Sequence, residues 1–355
     1  MSAKALQLGV PALVAGLLYL AGTAWVGDRE HWVPISPYPG EHFMALTTAP
    51  DGRLFAGAQS GAVLERDPGG PWRLHNTGLP AITWLLPDGD GLLAGTIRGV
   101  YASPDGRQWA PVERGLPEGL WVLQFEPLPD GLRLLSPDQG LYRRDDQGRW
   151  HADHSRGLPA GVHIYHYARD TQGGDHVGTV AEGAYYRPDP GADWRPNSEG
   201  LHRHARGFSL LRREGGIILG SDRGAWWQSQ PGERWQALGT GRHGFRVLDL
   251  AADARGRVWA ASDEGIWVAD ESNRDGRPTP WRSVPMRDEG PQAPVSRFHI
   301  DGDQHLAAAG AIYQLERDRG WQVPILVMAI LAGVMTWAMM HVPAVTGRRP
   351  PPNHP

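Results

Sequence analysis

A motif of about forty residues repeated seven times, four short β-type runs in each copy, and an apolar segment at either end predict an all-β chain. The expected architecture is a seven-bladed β-propeller with one transmembrane helix at each end. Composition agrees. The 355 residues include 47 Gly and 31 Pro but only 6 Phe and 9 Tyr, the punctuation of many short strands and tight turns, which excludes a helical bundle. There is no cysteine, so disulfide frameworks, cysteine-ligated metal or iron–sulfur sites and thiol catalysis are excluded.

The elements follow in order. Leu8 to Val26 runs nineteen residues without a charge, long enough to cross ~30 Å of hydrocarbon. Residues 1–27 therefore read as a transmembrane anchor or a signal segment, and the small residues Gly22, Thr23 and Ala24 leave cleavage open. Residues 28–322 are the propeller. Its third segment opens on Gly61, Gly99, Gly140, Gly183, Gly224, Gly265 and Gly310, in steps of 38, 41, 43, 41, 41 and 45 residues. The fourth opens on Trp72, Trp109, Trp150, Trp194, Trp235 and Trp281, so two independent markers keep one period. Within the third unit the runs LWVLQF (Leu120 to Phe125), LRLLS, GLYRR and WHAD are each bounded by turn residues, and four strands per ~40 residues make one blade. The stretch from Asp28 to Leu46 aligns with that from Asp105 to Leu123, including the Trp-x-Pro-aliphatic pattern at Trp32 to Ile35. It predicts an outer strand that completes the last blade beside Gly310 to Leu315, with Trp321 either a strand residue or an interfacial anchor.

Val323 to Val342 is a second uncharged run, followed by Arg348 and Arg349. Residues 323–343 thus read as a transmembrane helix and 344–355 as a short cytoplasmic tail. With Lys4 as the matching signal at the other end, both termini are expected in the cytoplasm and the propeller on the periplasmic side of an inner membrane. The chain carries −4; with Lys4, Arg348 and Arg349 set aside the body carries −7, which argues against nucleic acid or an anionic lipid surface as its main partner.

The hairpins ERDPGGPW (Glu65 to Trp72), RPDPGADW (Arg187 to Trp194) and SPDGRQW (Ser103 to Trp109) resemble the Asp-box turn of the bacterial neuraminidase repeat, S-x-D-x-G-x-x-W. The first two lack the serine and the third is one residue short. Asp253 to Val268, DARGRVWAASDEGIWV, resembles the propeller repeats of two-component sensors. The overall pattern over residues 28–322 is similar to the photosystem assembly and stability factor propellers. The resemblance implies the fold and a role in binding partners, while the fold by itself hosts many activities.

Candidate residues divide by type. Asp67, Asp105 and Asp189 sit where an aspartate bonds its own turn, and the repeating tryptophans are expected to pack between blades. A sialidase-like hydrolase needs an arginine triad, a tyrosine nucleophile and a separate acid; the motif FRIP is absent, and Phe245-Arg246-Val247-Leu248 is the nearest string. No catalytic residue, metal or cofactor is assigned. His163 and His166 would point to opposite faces of a regular strand; His202 and His204 would share one, beside Arg203 and Arg206; His151 and His154 flank Asp153. All read as solvated or hydrogen-bonded.

The remaining signal is a surface. The starts of the innermost strands, His42, Trp84, Trp121, His163, Arg206, Arg246 and Arg297, are expected at one mouth of the central channel. The loops between second and third strands join that face with Arg98, Glu182, Arg223, Asp263 and Glu264. Aromatic and arginine enrichment suits a partner-binding patch made of His42, Trp84, Arg98, Trp121, His163, Arg206, Arg223, Arg246 and Arg297. The function that fits these readings is a non-catalytic, membrane-anchored accessory or assembly subunit of a photosynthetic or respiratory type complex. Its expected partners are protein subunits, with lipid contacted through two helices and no nucleic acid. The alternative is a periplasmic ligand-binding sensor, and a sialidase-type hydrolase is a third.

Overall fold

The computed structural model describes residues 29–36, 38, 40–112, 114–239, 245–269, 281–286, 295–302 and 304–318. His31–Glu316 forms one compact unit, and the two ends, Met1–Glu30 with Arg317–Pro355, group separately. Both apolar segments and Trp321 lie outside the described residues. Among those described, no helix is long and apolar enough to cross a membrane.

The described residues form seven four-stranded antiparallel sheets. The inner strands are Phe43–Thr48, Ile82–Asp88, Gln124–Leu128, Ile164–Arg169, Gly207–Arg213, Val247–Ala252 and Arg297–Asp301, in blades 1 to 7. Six blades are built from consecutive strands. The seventh has the order Arg29–Pro34, Ile312–Asp318, Gln304–Ala308, Arg297–Asp301, so the N-terminal strand completes the last blade as the Trp32 pattern predicts. Trp32 is fully buried, edge-on to Trp259 at 5.6 Å and tilted against Phe298 at 6.0 Å. An aromatic ring removed from water in this way contributes several kcal/mol to closure, at ~25 cal/mol per Å² over ~200 Å².

The core is a ring of seams, one apolar cluster between each pair of neighbouring blades. Trp72, Trp150, Trp194, Trp235 and Trp281 are buried in those clusters, and Trp109 packs against one. A backbone latch reinforces three seams. The Trp150, Trp194 and Trp235 N–H groups donate to the carbonyls of Arg114, Arg156 and Glu199 in the loops arriving from the preceding blade. Gly115 and Gly157 follow two of those acceptors with φ near +85° and +89°, and a Cβ there would stand about 2 Å from the facing tryptophan carbonyl. The Gly-Leu-Pro motif is therefore a packing requirement.

Three local expectations are corrected. The third inner strand begins at Gln124, not Leu120, because Leu120 and Val122 fill the seam below and the Val122 N–H donates to Thr96 of blade 2. The outer strands of blades 2 and 4 are two residues long and start after Trp109 and Trp194. His202 and His204 do not share an extended face: His204 adopts φ +61°, and His202 instead pairs with Asp222 at 3.2 Å.

Candidate functional site

In each blade the inner strand runs away from the incoming loop and the second strand returns, so incoming loops and second-to-third turns share one face. The Asp-box hairpins lie on the other. There, Asp105 Oδ1 accepts the N–H groups of Arg107 and Gln108, and Asp189 Oδ1 accepts that of Gly191, the turn role expected of them. His151 donates to Asp145 at 2.7 Å, while Asp153 is held by Arg187 at 2.6 Å. Among the described residues, no group of three or more His, Asp or Glu is arranged to hold a metal ion.

The first face carries the rim residues. His42, Trp121, His163, Arg206 and Arg246 precede the inner strands of blades 1, 3, 4, 5 and 6, and Arg98 and Arg223 stand on the turns of blades 2 and 5. All seven are exposed. Arg246 pairs with Asp263 at 2.9 Å, and the Arg206 N–H donates to Asp222. Among the described residues Arg98 and Arg223 form no ion pair, so their charges face solvent. Trp121 is 43% exposed, and so is Ile97. The bond from Val122 N–H to Thr96 O brings these two side chains' backbones together at the junction of blades 2 and 3. Beside them Arg98, Val100, Tyr101, Val112, Leu116 and Glu118 line a groove of about 620 Å³. Tyr165, also exposed, meets Phe208 edge-on at 5.4 Å on blades 4 and 5. Ile97, Tyr165 and Phe208 were not singled out in the sequence. An isoleucine in a two-residue turn, Ile97-Arg98, is the signal that marks the first.

Trp84 and Arg297 differ from the other rim candidates because they meet inside the channel. A register shift after the first residue of the inner strand occurs in blades 1, 2, 4, 5 and 6. Each bulge re-aims the following residue. Trp84, His166 and Asp249 occupy that place and line a central cavity of about 440 Å³. The bulge also separates His163, on the rim, from His166, in the channel. Arg297 lies over the Trp84 ring at 4.1 Å, with Nη1 4.0 Å from Asp249 Oδ1. Burial pushes the guanidinium pKa down, and the Asp249 charge offsets that in part. Burial also raises the Asp249 carboxyl, against the Arg297 charge and the N–H of Phe298, and holds His166 near 3, with Arg297 adding to the effect. Farther along, burial lifts Glu126 to about 7, only partly countered by a hydrogen bond from Gln124 and the charge of Arg212.

Two other charge clusters are structural. Glu65, with no exposed side-chain surface, is held by Arg53 at 2.8 Å, His75 at 2.8 Å and Arg107 at 3.1 Å, the last from blade 2. At the seam of blades 3 and 4, Asp175 accepts from Tyr167 at 2.6 Å, Arg169 at 2.7 Å and Arg187 at 2.8 Å, and Arg187 stacks on Trp194. Both clusters join neighbouring blades, and every member has a partner that explains its place.

No family model matches the chain, and no curated protein matches it. Solved structures do. The extracellular domain of BT4673 from B. thetaiotaomicron, part of a one-component system, superposes with a TM-score of 0.63 at 16% identity over 81% of this chain, which spans 39% of that domain. YCF48 from Cyanidioschyzon merolae gives 0.63 at 17% identity over 80% of this chain and 98% of its own; YCF48 has also been solved bound to a D1 peptide. Virginiamycin B lyase from Staphylococcus aureus gives 0.64 at 10% identity over 81% of this chain and 99% of its own. At these identities the likeness is one of fold, and the conclusion is that the chain is a seven-bladed β-propeller of the architecture these proteins share.

Proposed function

We propose that this protein is a non-catalytic, membrane-anchored propeller that docks a protein partner as an accessory or assembly subunit of a larger membrane complex of photosynthetic or respiratory type. The observation that carries the reading is the rim at blades 2 and 3. Two large apolar side chains, Ile97 and Trp121, stand exposed beside the unpaired Arg98 and a groove lined in part by Val100, Val112 and Leu116. An aromatic anchor with arginine at its edge is the composition of an interface centre. The similarity to YCF48, which is solved with a D1 peptide, supports a protein as the occupant. The uncharged runs at 8–26 and 323–342 support an anchor at each end, and Lys4, Arg348 and Arg349 support a periplasmic propeller with both termini in the cytoplasm.

In this reading Trp121 and Ile97 bury their rings and branches on the partner, while Arg98 and Arg223 select an acidic surface. A photo-crosslinking residue placed at Ile97 in cells should trap a membrane protein, while the same residue at Gln147, on the Asp-box face, should not. Equal labelling from both positions, or none from Ile97, contradicts the reading. The central channel, where the Arg297 Nε is buried without a partner, supports the ligand-binding sensor alternative.

A further inference from the structure

The central channel holds a cation that its surroundings do not satisfy. Arg297 arises at the start of the inner strand of blade 7 and reaches across the channel mouth to the Trp84 ring on blade 2. That stacking fixes the plane of the guanidinium. Among the described residues none accepts a hydrogen bond from it: the Nε atom is buried without a partner, and Asp249 Oδ1, 4.0 Å from Nη1, is too distant to be one. The second Asp249 oxygen is already taken by the Phe298 N–H at 2.8 Å. The Nε–H is thus buried with no acceptor, a costly arrangement unless something fills the space beside it.

The neighbours add donors. His166 Nδ1 accepts the Leu210 N–H at 3.3 Å, which places the ring hydrogen on Nε2, and burial keeps the ring neutral. Gln124, by contrast, is spent on both backbone groups of Tyr167. The walls are mixed, with Phe125, Leu211 and Phe298 among the lining residues, and about a fifth of the Arg297 side chain, 21%, remains accessible. Charges facing the cavity are Arg297, Arg212 and Arg169 against Asp249 and Glu126, and Arg169 is committed to Asp130 and Asp175. Setting Arg169 aside leaves two charges of each sign, so the preference for an anion rests on the Arg297 guanidinium, whose Nε has no partner.

We propose that the channel is a binding site for a small carboxylate, held on the Arg297 guanidinium with His166 as a second donor. A planar carboxylate matches the guanidinium fork, and a pocket of about 440 Å³ lies within the size range of small-molecule sites. The apolar side chains among the lining residues suit a short organic chain behind the carboxylate. This site is distinct from the rim at Ile97 and Trp121 and does not depend on the identity of a docked protein.

The test is calorimetric titration of the detergent-solubilised full chain with acetate, benzoate, succinate and citrate, with chloride and inorganic phosphate run alongside. At least one carboxylate should bind saturably and more tightly than either inorganic anion. Arg297→Gln should weaken that binding about tenfold or more, as loss of a charge-assisted pair does. Arg156→Gln, which changes a side chain paired with Asp193 of an Asp-box hairpin, should leave it unchanged. Asp249→Asn removes the nearest negative charge and keeps an acceptor for the Phe298 N–H, so it should tighten binding; this variant decides the matter if Arg297→Gln does not fold. The proposal is overturned if no carboxylate in the panel binds, if chloride or phosphate binds as tightly as the best of them, or if Asp249→Asn weakens binding.

Discussion

Replacing Glu65 with Gln keeps the shape of a fully buried side chain and removes its charge. Burial alone would raise this carboxyl, but hydrogen bonds from Arg107, Arg53 and His75 outweigh it and hold the pKa at about 2 instead of 4.5. A depressed carboxylate stabilises the fold above its unfolded value and loses that contribution as pH falls toward the folded one. The shift corresponds to about 3 kcal/mol at pH 7, at ~1.4 kcal/mol per pH unit, and less than half of it survives at pH 3. Glu65→Gln also leaves Arg53, Arg73 and Arg107 clustered without their shared anion, which adds to the loss. Urea titration of the full chain in detergent, followed by tryptophan fluorescence, should show the variant less stable by about 3 kcal/mol or more at pH 7. The gap should narrow steadily from pH 4.5 downward. A difference under about 1 kcal/mol at pH 7, or one that does not change with pH, would refute the reasoning.

Other perturbations test other parts of the structure. Trp32→Ala opens the seam that closes the ring and should cost about 3–5 kcal/mol in the same titration, whereas Trp121→Ala, exposed on the rim, should change stability by less than about 0.5 kcal/mol. Glu126→Gln should act in the opposite sense to Glu65→Gln. With a folded pKa of about 7 against 4.5, the carboxyl begins to destabilise the fold as pH rises above 4.5 and does so fully above 7. The variant should therefore be more stable than the parent by about 2 kcal/mol at pH 8, allowing for partial exposure, and equal to it at pH 4. Replacing Arg98 and Arg223 together with Glu should weaken co-purification of a partner without lowering the unfolding midpoint, and unchanged association would remove that face from consideration.

The ring itself was legible because its seams reuse one set of parts. The Trp150 and Trp194 latches, the glycines Gly115 and Gly157 and the outer strand around Trp32 recur at fixed spacing, and repetition in space leaves repetition in sequence. The bulges were not legible. A single extra residue at Tyr165 or Thr83 alters which side chains face the channel, and nothing in the local composition announces it. The pairing of Trp84 with Arg297 was out of reach for a different reason: the two belong to blades on either side of blade 1, and only the closed ring brings them to 4.1 Å. Glu65 reads as an ordinary strand residue until Arg107 arrives from the next blade.

The most direct test of a docking role is gentle detergent extraction of the native membrane, size separation, and mass spectrometry of whatever travels with this chain. Migration with cofactor-bearing membrane subunits, lost in a Trp121→Ala and Ile97→Ala double variant that still folds, is the result the rim predicts. A chain that runs alone as a small detergent particle, with or without those substitutions, would contradict it.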